Sequence, residues 1–452
     1  MIIIKVIIIG GNAAGLSAAS AIKKSKNIEV VVYEAGEYVS YGACGIPYFL
    51  KDDVKSERYL ITLTPDKLKE REIPVFTHHK VIFVNFDTKE IQISDLKGNR
   101  TFIDTYDALV ISTGAEAIKI PNISIHHPGV VHIHDLSESV EFKRFLISNK
   151  EAIRSAVIIG LGYVGLEMLE AYLANGITDL TIIGEKMIFS EEFNQKIIEH
   201  VRSKGIKVKY PGIVKRVEPI EFDRLRVICD DDEMIETDLV QVSVGVRPMT
   251  EMFKGTKLAM ERNGAIIIDK FQQTNIPNVY AAGDCCVSFH SLKKKNVYMP
   301  LAPAANKQGR VAGEKIAGTE TKGFPSIVGT AIFKCLDLYC ALTGLKVEEA
   351  EELGYRPDFI TIENREIPHY YPNSKNMHIK LIFDLNTHKI LGAEIIAGSA
   401  MGAKKIDLLV AAISGGFTIE MLQDLDLAYA PPFSPVWDPI LIAANVASKK
   451  LK

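Results

Sequence analysis

Two stretches of this chain share one order of apolar and glycine-rich positions. In the first, an apolar run over residues 3–9 leads into Gly10-Gly-Asn-Ala-Ala-Gly15. An alanine-rich stretch follows, and then a second apolar run that ends at Glu34. Continuous apolar runs are typical of strands in a parallel sheet that is buried on both faces. The pattern therefore predicts a βαβ unit with a tight glycine turn before its helix.

The second stretch repeats this order about 150 positions later. A strand over 156–159 is followed by Gly160-Leu-Gly162-Tyr-Val-Gly165, a helix to about Ala174 and a strand near 179–183. One glycine fingerprint is weak evidence for a nucleotide site, but two with the same flanking elements favour two bound dinucleotides. Asn12 stands where the first copy would have its middle glycine.

The pattern changes again from about residue 326, where strands (378–384 and 390–397) and helices (403–415 and 437–450) indicate an α+β segment. Pro121–Gly129 is predicted to be a linker, and the chain is expected to return to its first domain after Gly245-Val-Arg-Pro248. We predict an α/β protein with two Rossmann-like nucleotide-binding domains and a third, α+β domain. The predicted boundaries are 1–120 with 250–325, then 121–249, then 326–452.

The chain has 452 residues and the composition of an ordinary globular protein. This length is enough for two or three domains. Its formal net charge of −3 and the absence of a basic excess do not favour nucleic acid. No apolar run of about 18 residues predicts a membrane span, and the N-terminal run lacks the basic start and cleavage site of a signal peptide. Six cysteines fit a reducing compartment, so we expect a cytoplasmic protein without a membrane partner.

Cys44 lies just beyond the first fingerprint, at a predicted strand-to-helix junction, where a helix N-terminus would stabilise its thiolate. Flavin disulfide reductases of the dithiol type have a second cysteine five positions later, where this chain has Phe49. If the protein is a flavin enzyme, its second redox equivalent is then held by an external thiol, a sulfenic acid or a persulfide. The choice among these determines the function.

The order of the motifs resembles the two-dinucleotide flavoprotein disulfide reductases along nearly the whole chain. It comprises both fingerprints, the Thr113-Gly114 turn, Gly-x-Arg-Pro and Ala-Gly-Asp284. The resemblance implies FAD on the first unit, with Asp284 at its ribityl chain and a helix near Pro300 facing the flavin, and NADH or NADPH on the second. The residues predicted to bind FAD are Gly10, Asn12, Ala13, Ala14, Gly15, Glu34, Val81, Thr113, Gly114, Asp284, Pro300 and Ala302.

The predicted NAD(P)H site leaves both nicotinamide cofactors open. Glu185 favours NADH, whereas the adjacent Lys186 favours NADPH. Tyr163 is expected to cover the nicotinamide face of the flavin, and Glu167 to hold the carboxamide, as the resemblance implies. The predicted residues are Gly160, Gly162, Tyr163, Val164, Gly165, Glu167, Glu185 and Gly245.

Three features resemble the branch that contains coenzyme A disulfide reductases and NAD(P)H sulfur or persulfide reductases. They are Cys44-Gly-Ile-Pro-Tyr48, the Tyr370-Tyr371-Pro372 motif and the segment Ala428–Asp438. In this branch Tyr371 and Tyr429 correspond to the pair that reaches the active cysteine of the other subunit, so the resemblance implies a homodimer and a dimerisation role for the third domain. Oxidases and peroxidases place a histidine where this chain has Ala13.

The predicted activity is the FAD-dependent reduction of coenzyme A disulfide, CoA persulfide or polysulfide by NAD(P)H. Cys44 would form a mixed disulfide, and a tyrosine hydroxyl would protonate or hydrogen-bond the departing thiolate. An NADH oxidase or peroxidase with a Cys44 sulfenic acid is the alternative, and a non-catalytic flavin redox sensor is a distant one. No rhodanese-like segment is expected in this chain, so a sulfur-transfer partner would be a separate protein.

Coenzyme A carries phosphates, so its site needs cations. The residues predicted to bind it are Lys23, Lys24, Ser40, Lys404 and Lys405; for the lysines, solvated helix ends are an equal alternative. Ala43 stands where some relatives that use coenzyme A have asparagine, which leaves strict specificity for coenzyme A open.

Other polar residues are interpreted as structural. His126, His127, His132 and His134 lack the cysteine or carboxylate spacing of a metal site, so no metal is predicted. Cys285 and Cys286 are expected to be small buried residues. Cys335 and Cys340 are expected in the core of the third domain.

Overall fold

The computed structural model describes residues 4–25 and 27–451, so Ile3, the first residue of the predicted N-terminal strand, lies outside the described residues. The strands are β1 Ile4–Ile9, β2 Ile28–Tyr33, β3 Val75–Phe76, β4 His79–Asn85, β5 Glu90–Asp95, β6 Arg100–Thr105, β7 Ala108–Ile111, β8 Ala115–Ala117, β9 Val130–Val131, β10 Ser155–Leu161, β11 Asp179–Met187, β12 Lys207–Lys209, β13 Val214–Pro219, β14 Leu225–Cys229, β15 Met234–Thr237, β16 Leu239–Val242, β17 Val246–Pro248, β18 Val279–Ala281, β19 Ser288–His290, β20 Lys295–Val297, β21 Ala331–Cys335, β22 Leu338–Gly344, β23 Pro357–Arg365, β24 Asn376–Asp384 and β25 Ile390–Ala397.

The α-helices are α1 Ala13–Ile22, α2 Ile46–Leu50, α3 Pro65–Glu70, α4 Leu136–Ser148, α5 Tyr163–Ala174, α6 Glu191–Ser203, α7 Ala302–Ile316, α8 Val347–Glu352, α9 Ala400–Lys404, α10 Ile406–Gly415, α11 Ile419–Gln423 and α12 Pro439–Ser448. Short 3₁₀ helices cover Ala43–Gly45, Glu57–Leu60 and Glu251–Phe253. Among the described helices, none has the length and apolar character needed to cross a membrane.

The chain divides into two compact units, each made of separate segments. The first contains Met1–Ile153, Val242–Phe289 and Asn296–Ser326; the second contains Arg154–Gln241, His290–Lys295 and Ile327–Lys452. The boundaries of the three predicted domains stay a prediction.

The first unit is built on a sheet with the strand order β18-β7-β1-β2-β3. Its strands run parallel, with Ile9 beside both Tyr33 and Ile111, so their carboxyl ends meet at one edge. Val6, Ile7 and Ile8 are fully buried, as the unbroken apolar run predicts. The βαβ pattern of the first segment is therefore confirmed over the described residues.

Two helices of the first unit pack unusually closely. Gly309 and Gly313 of α7 face the backbone of α1, and a β-carbon at residue 309 would lie 2.0 Å from the carbonyl oxygen of Ala14. Only glycine allows this approach, so the middle of α7 packs directly against the start of α1. A separate antiparallel sheet, β4-β5-β6, adds Val81, Val84 and other residues to the core of the unit.

The second unit contains the other predicted βαβ pattern. Strands β10, β11 and β12 pair in parallel, with α5 between β10 and β11 and α6 between β11 and β12. An antiparallel sheet, β13-β14-β15, follows α6 and β12. The predicted helix to Ala174 is confirmed, and the strand predicted near 179–183 extends to Met187.

The remainder of this unit is an antiparallel sheet of order β21-β22-β25-β24-β23, with helices α9 to α12 after its last strand. The expectation of one helix over 403–415 is wrong, because α9 ends at Lys404 and α10 begins at Ile406. At the junction the N–H of Lys405 bonds to the carbonyl of Gly402, three residues back, which tightens the turn. The Lys405 ammonium is also fixed by an ion pair with Asp438, Nζ to Oδ2 2.5 Å.

Candidate active site

The first fingerprint places the N-terminus of α1 at the carboxyl edge of the sheet. Gly10 has φ +105°, and a β-carbon on Gly15 would lie 2.0 Å from the Gly10 carbonyl oxygen, so the turn requires both glycines. The side chain of Asn12, the N-cap residue, makes no capping bond to α1. The first backbone N–H groups of α1, from Ala13 and Ala14, are therefore available to an anionic ligand such as a pyrophosphate.

Glu34 follows β2 and lies beside the same turn. Its two carboxylate oxygens accept hydrogen bonds from the backbone N–H of Gly11 and of Gly36, each at 2.7 Å. These bonds fix the carboxylate at the carboxyl end of its strand. A carboxylate at that place can accept bonds from the ribose hydroxyls of a dinucleotide.

The Thr113-Gly114 turn contains a buried polar atom without a partner. Thr113 Oγ1 is buried and has no hydrogen bond of normal geometry to any described residue, although the Cys285 thiol lies beside it. A β-carbon at Gly114 would meet nothing within 4 Å, so the turn borders open space. An unsatisfied buried hydroxyl next to an open cradle fits a cofactor that bonds to it, as expected for FAD.

Asp284 follows β18 at the same sheet edge. Burial raises the pKa of its carboxyl, and the nearby His134 opposes this rise. The backbone carbonyl of Asp284 accepts a hydrogen bond from the Tyr298 hydroxyl at 3.0 Å. Helix α7 begins at the predicted Ala302, two residues after Pro300, and Val81 is fully buried within β4.

Cys44 lies in the 3₁₀ turn that runs into α2, and its side chain is exposed in the single chain. Backbone bonds join this segment to its surroundings: Ser40 N–H to the Gly11 carbonyl at 3.0 Å, and Gly42 N–H to the Leu60 carbonyl at 2.9 Å. The first of these bonds attaches the cysteine segment to the fingerprint turn. Cys44 is therefore held by the same backbone that forms the proposed cofactor site.

Ser40 has a φ of +53°, a left-handed conformation that is uncommon outside glycine and often marks a functional turn. Its carbonyl accepts a hydrogen bond from Thr62 N–H at 2.8 Å. Phe49, five residues beyond Cys44, is buried. No thiol therefore occupies the position of a second cysteine.

The second unit contains a similar fingerprint turn. A β-carbon on Gly165 would lie 2.1 Å from the Gly160 carbonyl oxygen, whereas one on Gly162 would meet nothing within 4 Å. Gly162 thus borders the space in front of α5, where a second pyrophosphate would lie. Val164 and Glu167 lie in the first turns of the same helix.

Tyr163, the first residue of α5, contacts Phe333 edge to face, with ring centroids 5.3 Å apart. Burial raises the pKa of the Tyr163 hydroxyl. Glu185 and Lys186 are both exposed at the end of β11, as required of residues that would contact the adenosine ribose of a bound dinucleotide. Gly245 lies in the first unit, where its carbonyl accepts a bond from Ile118 N–H at 3.0 Å.

The two tyrosines of the C-terminal motifs are accessible in the single chain, Tyr371 at 36% and Tyr429 at 48% exposure. Tyr370, which is 64% exposed, lies beside Tyr429, and this neighbouring hydroxyl raises the pKa of Tyr370. Phe433, Val436 and Trp437 are also exposed and lie on the same C-terminal segment as Tyr429. Exposed large apolar side chains in this number are typical of a surface that is covered in an assembly.

The lysines expected to bind coenzyme A differ in their surroundings. Lys24 is exposed, while Lys23 pairs with Glu72 and Lys404 with Asp407, at 2.9 and 2.6 Å. Lys405 and Asp438 form a largely buried pair, with side-chain exposures of 15% and 8%. This pair favours the structural alternative for Lys405, and the substrate role of all four lysines stays a prediction.

Of the residues interpreted as structural, the four cysteines lie in the core. Cys285, Cys286, Cys335 and Cys340 are buried, as predicted, and the last two lie on the paired strands β21 and β22. His132 bonds to Ser124 and His134 to the Ala115 carbonyl. The cluster of Cys229, Asp231 and Glu233 has a cation already, because Lys209 pairs with both carboxylates.

Sequence reasoning missed two residues beside the site, Phe333 and Lys143. Phe333 is far from Tyr163 in the chain, and an apolar residue on a strand gives no sign of its partner. Lys143 lies in a helix with other charged residues, so its burial was not visible in the pattern. The contact of Phe333 with Tyr163 and the burial of Lys143 both depend on tertiary structure.

Comparison with known families gives two matches along the chain. Residues 4–309 match the family described as pyridine nucleotide-disulphide oxidoreductase, and residues 330–439 match the dimerisation domain of the same family.

Curated relatives match nearly the full length. An NAD(P)H coenzyme A polysulfide/persulfide reductase of Pyrococcus horikoshii is 34% identical, with 98% of both chains covered. A coenzyme A disulfide reductase of Staphylococcus haemolyticus is 29% identical, covering 95% of this chain and 96% of the relative. A protein named NADH oxidase from Methanocaldococcus jannaschii is 32% identical, with 99% of both chains covered.

Solved structures show the same fold. The reduced CoADR-RHD of Bacillus anthracis superposes with a TM-score of 0.94 at 28% identity, covering 99% of this chain and 80% of the other. An NAD-dependent persulfide reductase from A. fulgidus superposes with a TM-score of 0.91 at 33% identity, covering 99% and 83%. The predicted α/β fold class is confirmed.

Proposed function

Because the chain belongs to the pyridine nucleotide-disulphide oxidoreductase family, we propose that it reduces coenzyme A disulfide, CoA persulfide or polysulfide with NAD(P)H through Cys44. One observation carries this proposal: Cys44 is exposed next to the first fingerprint, while the position five residues later is a buried phenylalanine. A single accessible thiol without a second cysteine favours an external sulfur partner. The names of the relatives support coenzyme A as the source of that sulfur.

The proposed chemistry at Cys44 begins with attack of its thiolate on one sulfur of the substrate. The sulfur–sulfur bond of CoA disulfide breaks, one CoA thiolate leaves and takes up a proton, and a Cys44–CoA mixed disulfide forms. When bound, FAD supplies two electrons from NAD(P)H, which release the second CoA thiolate and restore Cys44. The role of the chain is to hold the thiol in place and to protonate the leaving sulfur.

Tyr371 and Tyr429 are the proposed proton donors, acting on the cysteine of a partner subunit. Their exposure in the single chain and the match to a dimerisation domain support a homodimer. Tyr370 lies beside Tyr429, so a second hydroxyl is close to this donor. Such a pair can share a proton during transfer to sulfur.

The residues proposed to hold the cofactors form two sets. For FAD they are the fingerprint turn with Glu34, the Thr113-Gly114 turn and Asp284; the unpartnered Thr113 hydroxyl supports this fit. For NAD(P)H they are the second fingerprint with Tyr163 and the exposed end of β11. All six cysteines are thiols, which supports a reducing, cytoplasmic location, and no nucleic-acid partner is proposed.

An NADH oxidase remains the second candidate because one relative carries that name at 32% identity. Ala13 opposes it, since this alanine offers no side chain to support a sulfenic acid. Thiol release from CoA disulfide and oxygen consumption, measured with the same NAD(P)H concentration, separate the two. We expect thiol release to account for most of the NAD(P)H consumed; oxygen uptake that matches NAD(P)H consumption without thiol release would overturn the proposal.

The mass of Cys44 in the purified protein identifies the sulfur species. An adduct of coenzyme A supports CoA disulfide as the substrate, and one added sulfur supports a persulfide. One added oxygen would favour the oxidase instead. The mass of the peptide that contains Cys285 and Cys286 serves as a control, because both thiols are buried.

A further inference from the structure

Lys143, in the middle of α4, carries a buried ammonium group. The residue is 9% exposed, and a lysine is rarely buried unless it is paired. Its Nζ donates to the Phe49 carbonyl oxygen at 2.6 Å and pairs with Asp52 Oδ1 at 2.6 Å. Both partners lie at the end of α2, the short helix that follows Cys44.

The contact with Phe49 also includes its ring, since Nζ lies 4.0 Å from the ring centroid. Phe49 is 3% exposed and occupies the position five residues after Cys44. Its carbonyl belongs to the last turn of α2, where helix carbonyls need partners from outside the helix, and it also accepts the Asp52 N–H at 3.2 Å. Lys143 therefore caps α2 at its C-terminal end.

Asp52, the second partner, is in a left-handed conformation with φ +74°. This conformation costs free energy for a residue other than glycine, so it persists only where the surroundings hold it. The Lys143 ammonium lowers the pKa of the Asp52 carboxyl, chiefly through their hydrogen bond. The ion pair thus fixes the point at which α2 ends.

The other end of α4 contacts the chain before Cys44. Asp135, the N-cap of α4, accepts from Ser137 N–H with Oδ1, and its Oδ2 lies 3.4 Å from the Tyr41 hydroxyl oxygen. The backbone N–H of Tyr41 in turn donates to Asn12 Oδ1 at 3.1 Å. One helix therefore holds the chain three residues before and five residues after the cysteine.

We propose that α4 supports the Cys44 segment from both sides, and that Lys143 is a positioning residue for the thiol. The five residues of α2 are too few to form a stable helix alone, so tertiary contacts must fix it. Without the ammonium, the Phe49 carbonyl keeps only the weaker backbone bond from Asp52 N–H, at 3.2 Å, and the left-handed Asp52 loses its ion pair. The Cys44 turn, which is continuous with α2, then becomes mobile. This proposal rests on the proposed function for Cys44.

Lys143→Met tests the proposal because it keeps the length and apolar stem of the side chain while it removes the charge. We expect the rate constant for alkylation of Cys44 by iodoacetamide, measured on folded FAD-bound protein, to change at least threefold. The rate of the step with CoA disulfide should fall about tenfold, while reduction of the flavin by NAD(P)H stays within twofold. Lys143→Arg, which restores a cation, should recover most of the loss.

Lys5→Met is the matched control, because Lys5 forms a partly buried pair with Asp104 elsewhere in the same unit. It should lower the melting temperature without changing Cys44 alkylation. If Lys143→Met behaves in the same way, Lys143 is only structural and the proposal is overturned.

Tyr41→Phe covers the case in which Lys143→Met does not fold, since it removes only the hydroxyl that contacts Asp135. It should change the rate constant for Cys44 alkylation in the same direction as Lys143→Met. An unchanged rate constant would contradict the claim that α4 supports the Cys44 segment. Alkylation does not depend on coenzyme A. A wild-type protein that reduces none of CoA disulfide, CoA persulfide and polysulfide would refute the proposed function. The alkylation comparison would still decide whether α4 supports the Cys44 segment.

Discussion

A β-carbon on Gly165 would lie 2.1 Å from the carbonyl oxygen of Gly160, closer than any two such atoms can approach. The relationship repeats in the first fingerprint, where the corresponding distance from Gly15 to the Gly10 oxygen is 2.0 Å. In both turns the last glycine lets the helix pack against the strand before it. The middle position differs between the two turns. The second turn has Gly162, which borders open space, whereas the first turn has the side chain of Asn12.

Gly162→Ala should therefore weaken cofactor binding, whereas Gly165→Ala should lower the stability of the fold. Alanine fits the Gly162 backbone, with φ −85°, but its methyl group would enter the space proposed for the pyrophosphate. We expect a KM for NAD(P)H at least about tenfold higher with an unchanged melting temperature. Gly165→Ala forces the backbone apart and should cost about 1–3 kcal/mol of stability. Thermal unfolding with steady-state kinetics checks both; equal effects would contradict the assignment of the second site.

Thr113→Val tests the fit of the first site to FAD. Removing a buried hydroxyl that has no partner should leave the apoprotein at least as stable, because an unsatisfied polar atom costs about 1–3 kcal/mol. The FAD-bound protein should lose part of the stabilisation that FAD provides. Melting temperatures with and without FAD measure the difference. An apoprotein destabilised as much as the FAD-bound form would show that the hydroxyl supports the fold instead.

Tyr429→Phe should slow the reduction of disulfide by about 10²-fold if the hydroxyl protonates the leaving thiolate. Reduction of the flavin by NAD(P)H should keep its rate, since that step does not use the tyrosine. Stopped-flow absorbance of the flavin separates the two steps. Tyr59→Phe, at a residue 78% exposed in the first unit, is the control. An unchanged disulfide step in Tyr429→Phe would remove the proposed proton donor.

His290 should make the protein less stable in acid. Burial lowers the pKa of this histidine to about 4, below its value in the unfolded chain, and Nδ1 accepts bonds from Leu292 and Lys293 N–H. Between pH 6.5 and 4 the unfolded chain binds a proton that the folded chain does not, so stability falls as pH falls, by at most about 3 kcal/mol.

His290→Asn keeps an acceptor for the two N–H groups but cannot titrate. Its denaturant midpoint should change less between pH 7 and pH 4.5 than that of the wild type. His126→Asn, at an exposed histidine, should follow the wild type. If the denaturant midpoints of His290→Asn and the wild type change equally with pH, the His290 imidazole does not control stability in acid.

Much of the fold could be predicted from local pattern. The strand predicted over 390–397 is observed as β25, Ile390–Ala397, with the same ends, because a strand buried on both faces is largely apolar. The glycines that require special geometry, Gly10 and Gly165 among them, were also visible. The break between α9 and α10 was not, since it depends on tight turn bonding at Lys405 and on a partner 33 residues later.

The site was predictable where the chemistry belongs to one residue and its neighbours in sequence. Cys44, Glu34 and the Thr113 turn are of this kind. The contact of Tyr429 with Tyr370, the edge-to-face contact of Phe333 with Tyr163, and the cap that Lys143 places on α2 depend on packing between distant segments. Periodicity carries no information about such contacts.

Cys44→Ser tests the central claim most directly, because it replaces one sulfur with oxygen in an exposed turn. The variant should keep bound FAD, and NAD(P)H should reduce that flavin at the rate of the wild type. Release of thiol from CoA disulfide, measured anaerobically, should fall below about one thousandth of the wild-type rate, since the mixed disulfide cannot form. Turnover of CoA disulfide at the wild-type rate would contradict the account.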